Sequence, residues 1–137
     1  MNAKAVELIL LRQLLSRFPL PASLVDAEGT VVYVNPATER LLGFDFGEIG
    51  EFPMSRMREL IDPRGPDDSF MEVRHMPLSV ALHDRRPQQY QMIIHDRAGV
   101  PHRIVTTALP LDGQGGTSLG AMSFFWEVDE NQEPVTT

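Results

Sequence analysis

Between Leu20 and Phe44 the chain reads LPASLVDAEGTVVYVNPATERLLGF, an unbroken succession of strand, turn, strand and capped-helix signals. Few folds accommodate that order. Pro19 and Pro21 stop whatever precedes, because proline lacks the amide proton and restricts the residue before it. Ala22–Asp26 suits a short strand, and Ala27-Glu28-Gly29 a turn in which Gly29 is free to take positive φ. Thr30–Val34, β-branched and aromatic, suits the second strand of a hairpin. Asn35 is placed to accept hydrogen bonds from the free amides of a following helix, and Pro36 fits a first position whose amide would lack a partner anyway. That helix is expected to run to about Leu42, with Gly43 as a left-handed cap.

Residues 3 to 18 contain no Gly or Pro and are rich in Leu, which predicts a helix. At 100° per residue, Val6, Leu8, Leu10, Leu11, Leu14, Leu15 and Phe18 sweep about 200°, twice the width of a single core-facing stripe. Two apolar contacts follow from that arc, one with the helix's own sheet and one with a second chain. Residues 1–18 are therefore a dimerisation candidate carried by Val6, Leu10, Leu11, Leu14, Leu15 and Phe18. The other reading is a helix buried deeply on its own domain.

Signals weaken from Asp45 to Met76, where a helix is expected at Met54–Ile61, stopped by Asp62-Pro63. Pro77 opens another helix, with Leu78, Ala81 and Leu82 on one face, ending before Pro87. The period then changes to two. Tyr90, Met92 and Ile94 alternate with Gln91, Ile93 and His95, Arg97-Ala98-Gly99 turns the chain, and Ile104, Thr106 and Ala108 alternate with Arg103, Val105 and Thr107. A second turn at Asp112–Gly116 leads into Ser118–Val128, completing a three-strand meander. Residues 129–137 read as a polar tail or linker.

A chain of 137 residues is expected to form one domain with a real core, here over residues 19–128. Its net charge of −7 repels phosphate backbones, so nucleic acid is disfavoured as a partner. No apolar run approaches the ~20 residues of a bilayer-spanning helix, and no basic leader stands ahead of residues 5 to 11; no membrane association and a cytoplasmic location are expected. The chain contains no cysteine, which excludes disulfides, thiolate nucleophiles, Cys-ligated metal sites and Cys-linked chromophores.

Strands, short helices and a strand meander in this order make an α+β arrangement, an antiparallel sheet with helices gathered on one face. The chain resembles a PAS domain. The resemblance lies in Leu24-Val25-Asp26, Gly29, Val32-Tyr33-Val34-Asn35-Pro36-Ala37, Leu42-Gly43-Phe44, Glu48-Ile49-Gly50, Pro77-Leu78 with Ala81-Leu82, Arg86-Pro87, Gly99, Pro110-Leu111 and Leu119-Gly120-Ala121. It implies a PAS fold with a five-stranded sheet in the order 2-1-5-4-3, helices enclosing a pocket against one sheet face, and dimerisation through a helix preceding the fold. It also implies a bacterial signalling role, as an amino-terminal input module coupled to a downstream effector. Many such domains end on an Asp-Ile-Thr-like element, whereas this chain reads Trp126-Glu127-Val128-Asp129-Glu130.

Strand alternation places Tyr90, Met92, Ile94, Ile104, Thr106, Ala108, Met122 and Phe124 on the inner face, with Val25, Leu41, Leu42, Leu78 and Leu82 closing that side. These are the pocket candidates, Thr106 and Tyr90 supplying the polar groups; plain core packing is the competing explanation. The outer face, carrying Val105, Thr107, Ala121, Ser123 and Phe125, needs a cover, so Phe125 joins the interface candidates. Without cysteine, the flavin adduct and the thioester-linked chromophore of related light sensors are excluded, and the cofactor is otherwise unknown. In haem-binding relatives a histidine near the helix before the third strand ligates iron, and His83 lies close to that place. A solvated histidine at a helix end explains His83 as well. His75, His95 and His102 show no metal-ligand spacing, and no set of residues resembles a catalytic constellation, so no enzyme activity is expected. The function expected is sensing or regulation by a small molecule or a protein partner, relayed through a dimer or helix rearrangement. The alternative is a ligand-free interaction scaffold whose core fills itself.

Overall fold

The computed structural model describes residues 3–129, in which an antiparallel sheet carries four short helices on one face and a longer helix on the other. In chain order the elements are α1 (Ala3–Ser16), β1 (Ala22–Val25), β2 (Thr30–Val34), α2 (Pro36–Leu42), α3 (Phe46–Ile49), β3 (Phe52–Pro53), α4 (Met57–Ile61), α5 (Pro77–Asp84), β4 (Gln88–His95), β5 (Pro101–Asp112) and β6 (Ser118–Glu127). The sheet has six strands in the order β3-β2-β1-β6-β5-β4, not five in the order 2-1-5-4-3. The added strand is the two-residue β3, which pairs Phe52 with Val31 at the free edge of β2. A strand of two residues has no periodicity to read.

The opening hairpin forms as its residues dictate. Asp26 leaves β1 to make the turn, its carboxylate accepting from the amides of Glu28 and Thr30 at 3.0 Å each. Gly43 caps α2 at φ 79°, its amide bonded to the Glu39 carbonyl. The helix expected over Met54–Ile61 is split, with a 3₁₀ turn at Met54–Arg56 feeding α4. Residues 17 and 18 close α1 with tighter backbone bonds to Leu14 and Leu15. Of the expected tail, only Asp129 lies within the described residues.

Two apolar clusters hold the layers together. The inner one packs Val25, Val31, Met92, Ile94, Ile104, Ala108 and Ala121 of the sheet against Leu42, Met57, Leu78 and Leu82 of the helices. The outer one packs Leu11, Leu15 and Phe18 of α1 and its exit against Leu24, Tyr33, Met122 and Phe124. Phe18 meets Phe124 edge-on at 5.8 Å between ring centroids.

The faces of β6 are therefore the reverse of the expected ones. Thr106 pairs with Phe125 and Ala108 with Ser123, and residues directly opposite in an antiparallel pair share a face. Ala121, Ser123 and Phe125 point inward, and Met122 and Phe124 lie under α1. Both parities of β6 are apolar enough to face a core, so only the pairing register decides between them.

Asn35 is completely buried and does far more than cap α2. Its side-chain oxygen accepts from the Thr38 amide, the Thr38 hydroxyl and the Ala22 amide at 2.8–3.1 Å. Its nitrogen donates to the carbonyls of Leu15 and Leu20 at 3.0 and 2.9 Å. α1, the linker, β1 and α2 thus meet on one carboxamide. Asn35→Ala is expected to cost on the order of 3 kcal/mol, measured by urea denaturation, because it removes the cap and strands buried carbonyls as well. Gly120 is equally unforgiving for a different reason. It sits at φ 124°, and a Cβ there would overlap the Val25 carbonyl oxygen across the β1–β6 pair. Gly120→Ala is expected to destabilise by roughly 3 kcal/mol or more in the same measurement, since the obstacle is backbone and has no rotamer to change.

Candidate ligand cavity

Between the inner sheet face and α2–α5 lies a cavity of about 90 Å³. All six strands contribute to its sheet wall, with Ser23 from β1, Val34 from β2, Phe52 from β3, Met92 and Ile94 from β4, Ile104 and Thr106 from β5, and Ser123 and Phe125 from β6. The helical wall is mostly apolar, with Leu42 from α2, Phe46 and Ile49 from α3, Met57 from α4 and Leu78 from α5, and α2 adds Thr38, whose hydroxyl is bonded to Asn35 and Ala22. No histidine, lysine or arginine lines it, and Glu39, the one ionisable residue that does, has its carboxylate bonded to the Phe46 amide at 2.7 Å. The polar groups left are hydroxyls. Ser23 and Ser123 bond to each other at 2.8 Å across β1 and β6, and Thr106, also buried, has no hydrogen-bond partner for its hydroxyl among the described residues.

Of the residues expected at a pocket, Leu42, Leu78, Met92, Ile94, Ile104 and Thr106 line the cavity. Val25 and Leu82 are buried in the inner core but off the cavity wall, and Leu41 packs on that core from the surface side. Tyr90 is 40% exposed and away from the cavity, while Met122 and Phe124 lie on the opposite face of the sheet. Phe125 lines the cavity. Ser23, Ser123 and Phe125 escaped the sequence reading because the β6 register was not available, and Phe46, Ile49 and Met57 because the 45–76 segment carries no clear periodicity. The α1 candidates divide into two sets. Leu15 is buried and Leu11 and Phe18 half-buried against the sheet, whereas Val6, Leu10 and Leu14 are 43%, 59% and 64% exposed, with Ile9 beside them.

Phe125 also borders a surface groove formed by Pro19–Pro21, by Ala37, Arg40 and Leu41 of α2, and by Trp126 and Glu127. Its amide donates to the Pro21 carbonyl at 3.0 Å. One residue therefore touches the cavity, the linker leaving α1 and the end of the last strand.

A family model described as the PAS fold matches residues 15–133, and the chain belongs to that family. PAS domains are generally sensory or regulatory modules. Among solved structures, the PAS domain of Bordetella pertussis BvgS is 15% identical with a TM-score of 0.64, over 91% of this chain and 88% of that one. The PAS domain of the fruit-fly ELK potassium channel, also 15% identical, reaches 0.70 over 88% and 96%. The Rhodobacter sphaeroides LOV protein, 18% identical, reaches 0.70 over 91% and 69%. No match to a curated protein sequence was found. Likeness at these identities concerns the fold, and the cavity's own chemistry decides what fits it. Haem does not: His83 is exposed at the end of α5, outside the cavity, and the volume falls far below that of a macrocycle. A flavin ring system exceeds the same volume, and among the described residues no helix is long and apolar enough to cross a membrane.

Away from the cavity, His102 at the start of β5 is held between two carboxylates. Its Nε2 lies 2.9 Å from Asp96 in the β4–β5 turn and its Nδ1 3.0 Å from Glu127 at the end of β6. Burial alone would lower the His102 pKa, but the two carboxylate hydrogen bonds outweigh it and raise the value above 6.5. The same contact holds Asp96 below its usual 3.8. A raised histidine pKa stabilises the fold fully below 6.5 and loses its effect as pH climbs through the folded-state value; a lowered carboxylate pKa acts above 3.8 and fades as pH falls through its own. The Tm difference between the wild type and His102→Gln is therefore expected to be largest from about pH 4 to 6.5 and to shrink steadily on the alkaline side.

Proposed function

We propose that this domain is a cytoplasmic regulatory sensor whose cavity takes a small molecule and whose response is relayed as a rearrangement of α1 within a homodimer, to an effector. The observation that carries this reading is the shared position of Phe125. A ligand that moves it acts at once on the cavity wall, on the Pro21 carbonyl at the exit of α1 and on the last residues of β6. A shift of this kind alters an equilibrium only as far as the ligand distinguishes the two arrangements. The exposed row of Val6, Ile9, Leu10 and Leu14 supports a second copy as the partner, since the other side of the helix is already committed to the sheet. The mostly hydroxyl and apolar lining and the absence of a catalytic constellation support a binding rather than an enzymatic role, and the net charge of −7 speaks against nucleic acid.

The size of the cavity favours a second reading. Ligand pockets typically enclose roughly 300–1,000 Å³, several times the volume here. Met54, Met57, Met71, Met76 and Met92 fill much of the inner core, as a self-filled interaction scaffold requires.

Trp126, the one tryptophan, follows Phe125 in β6 and borders the same groove, which makes its emission a probe of that end of the strand. On the sensor reading, a compound that raises Tm also shifts Trp126 emission, and in Phe125→Leu the emission shift falls relative to whatever stabilisation the compound still gives. A compound library that stabilises nothing would favour the scaffold. For the dimer, the Leu10→Glu, Leu14→Glu double variant is expected to halve the mass seen by light scattering; an unchanged mass removes α1 from the interface.

A further inference from the structure

We infer that the cavity selects an uncharged molecule of about six to eight heavy atoms with an apolar body and one hydroxyl-like hydrogen-bonding group, as in a small phenol or alcohol, an upper size set by the roughly 150 Å³ that houses benzene elsewhere. This rests on the sensing role proposed above. Three features of the lining lead to it.

Charge comes first. With no lysine, arginine or histidine on the wall and Glu39 bonded to a backbone amide, a bound carboxylate or phosphate would be buried without a counterion. Anions are therefore rejected, and the one carboxylate on the wall, Glu39, is tied through Oε2 to the Phe46 amide.

Size comes second. At about 90 Å³ the space is below that benzene-binding cavity, so a single small ring enters only as the wall yields, and nothing larger follows it. Met57, Met76 and Met92 on the wall supply that adjustment, because an unbranched thioether has several low-energy rotamers.

Polarity comes third and gives the direction. A cavity that was only a packing defect would be apolar throughout, yet β1, β6 and β5 place Ser23, Ser123 and Thr106 on its sheet wall. In the Ser23–Ser123 pair one hydroxyl donates to the other, which leaves the second hydrogen without an acceptor among the described residues; the Thr106 hydroxyl has no partner among them either. A ligand hydroxyl can accept from one of these groups and donate to another. An isosteric methyl group cannot.

The test uses the whole chain labelled with ¹³C at the methionine methyls, so that Met57, Met76 and Met92 report directly on the cavity. Phenol, toluene and benzoate are titrated separately at about pH 7.5, where phenol is neutral and benzoate charged. Phenol is expected to bind within about threefold of toluene despite the penalty of desolvating its hydroxyl, and benzoate at least a hundredfold more weakly, roughly the effect of burying an unpaired charge. Thr106→Val should weaken phenol about tenfold and leave toluene within about twofold, the signature of one lost hydrogen bond. Ser123→Ala should act in the same direction, whereas Ser79→Ala, whose hydroxyl faces Met54 instead, should not. Binding of toluene without phenol, or phenol binding indifferent to both Thr106→Val and Ser123→Ala, overturns the ligand class while leaving a sensing cavity intact. Silence of the methionine signals to all three compounds overturns the ligand class and the small-molecule sensor together.

Discussion

The Asn35 carboxamide joins four segments that the chain separates by up to twenty residues: the last turn of α1, the linker, β1 and α2. Its acceptor face satisfies amides at a strand start and a helix start, and its donor face satisfies carbonyls at a helix end and in the linker. Only a side chain with both an oxygen and a nitrogen can do this, so neither Asp nor Ser is a substitute. Because the group is wholly buried, every bond it makes is also a polar group kept from being stranded. Asn35 pins the last turn of α1 where Leu11, Leu15 and Phe18 seat on the outer sheet face, and together they fix the direction its exposed row faces.

The distance between what was legible in the residues and what was not follows the range of the determining interactions. The hairpin at Ala22–Val34, the cap at Asn35, the Gly43 terminus and the Pro77 helix depend on a few neighbouring residues, and all of them stand in the structure. The faces of β6 depend on the register with β5, set at a distance by the irregularity at Leu111–Asp112 and by the close approach of Gly120 to Val25. Leu119–Phe125 offers no alternation to betray that register, and an error of one residue exchanged the cavity residues Ser123 and Phe125 for the outer-core residues Met122 and Phe124. The segment from Phe44 to Met76 was opaque for another reason. Its pieces are one turn or two residues long and are held by their side chains rather than by local propensity, as with Phe46 against Phe52 at 6.4 Å.

The cavity sits where those two illegible regions meet. Its floor is the rigid, fully paired centre of the sheet, and its roof is built from short elements and flexible methionines. Such a division lets the roof yield to a guest without disturbing the pairing of β1, β6 and β5. The His102 clamp works at another edge, tying the β4–β5 turn to the end of β6 so that the last strand keeps its place under changes above it.

Phe125 has a consequence for how such a domain can be altered over time. One side chain on the cavity wall belongs to the residue whose amide bonds the α1 linker and whose neighbours end the last strand. Selectivity and responsiveness are thereby coupled: a smaller residue here enlarges the cavity and, because the bond to Pro21 is made by the backbone, leaves that joint in place with less side chain to act on it. A lineage adapting this protein to a bulkier ligand would have to change the roof residues first and leave Phe125 alone.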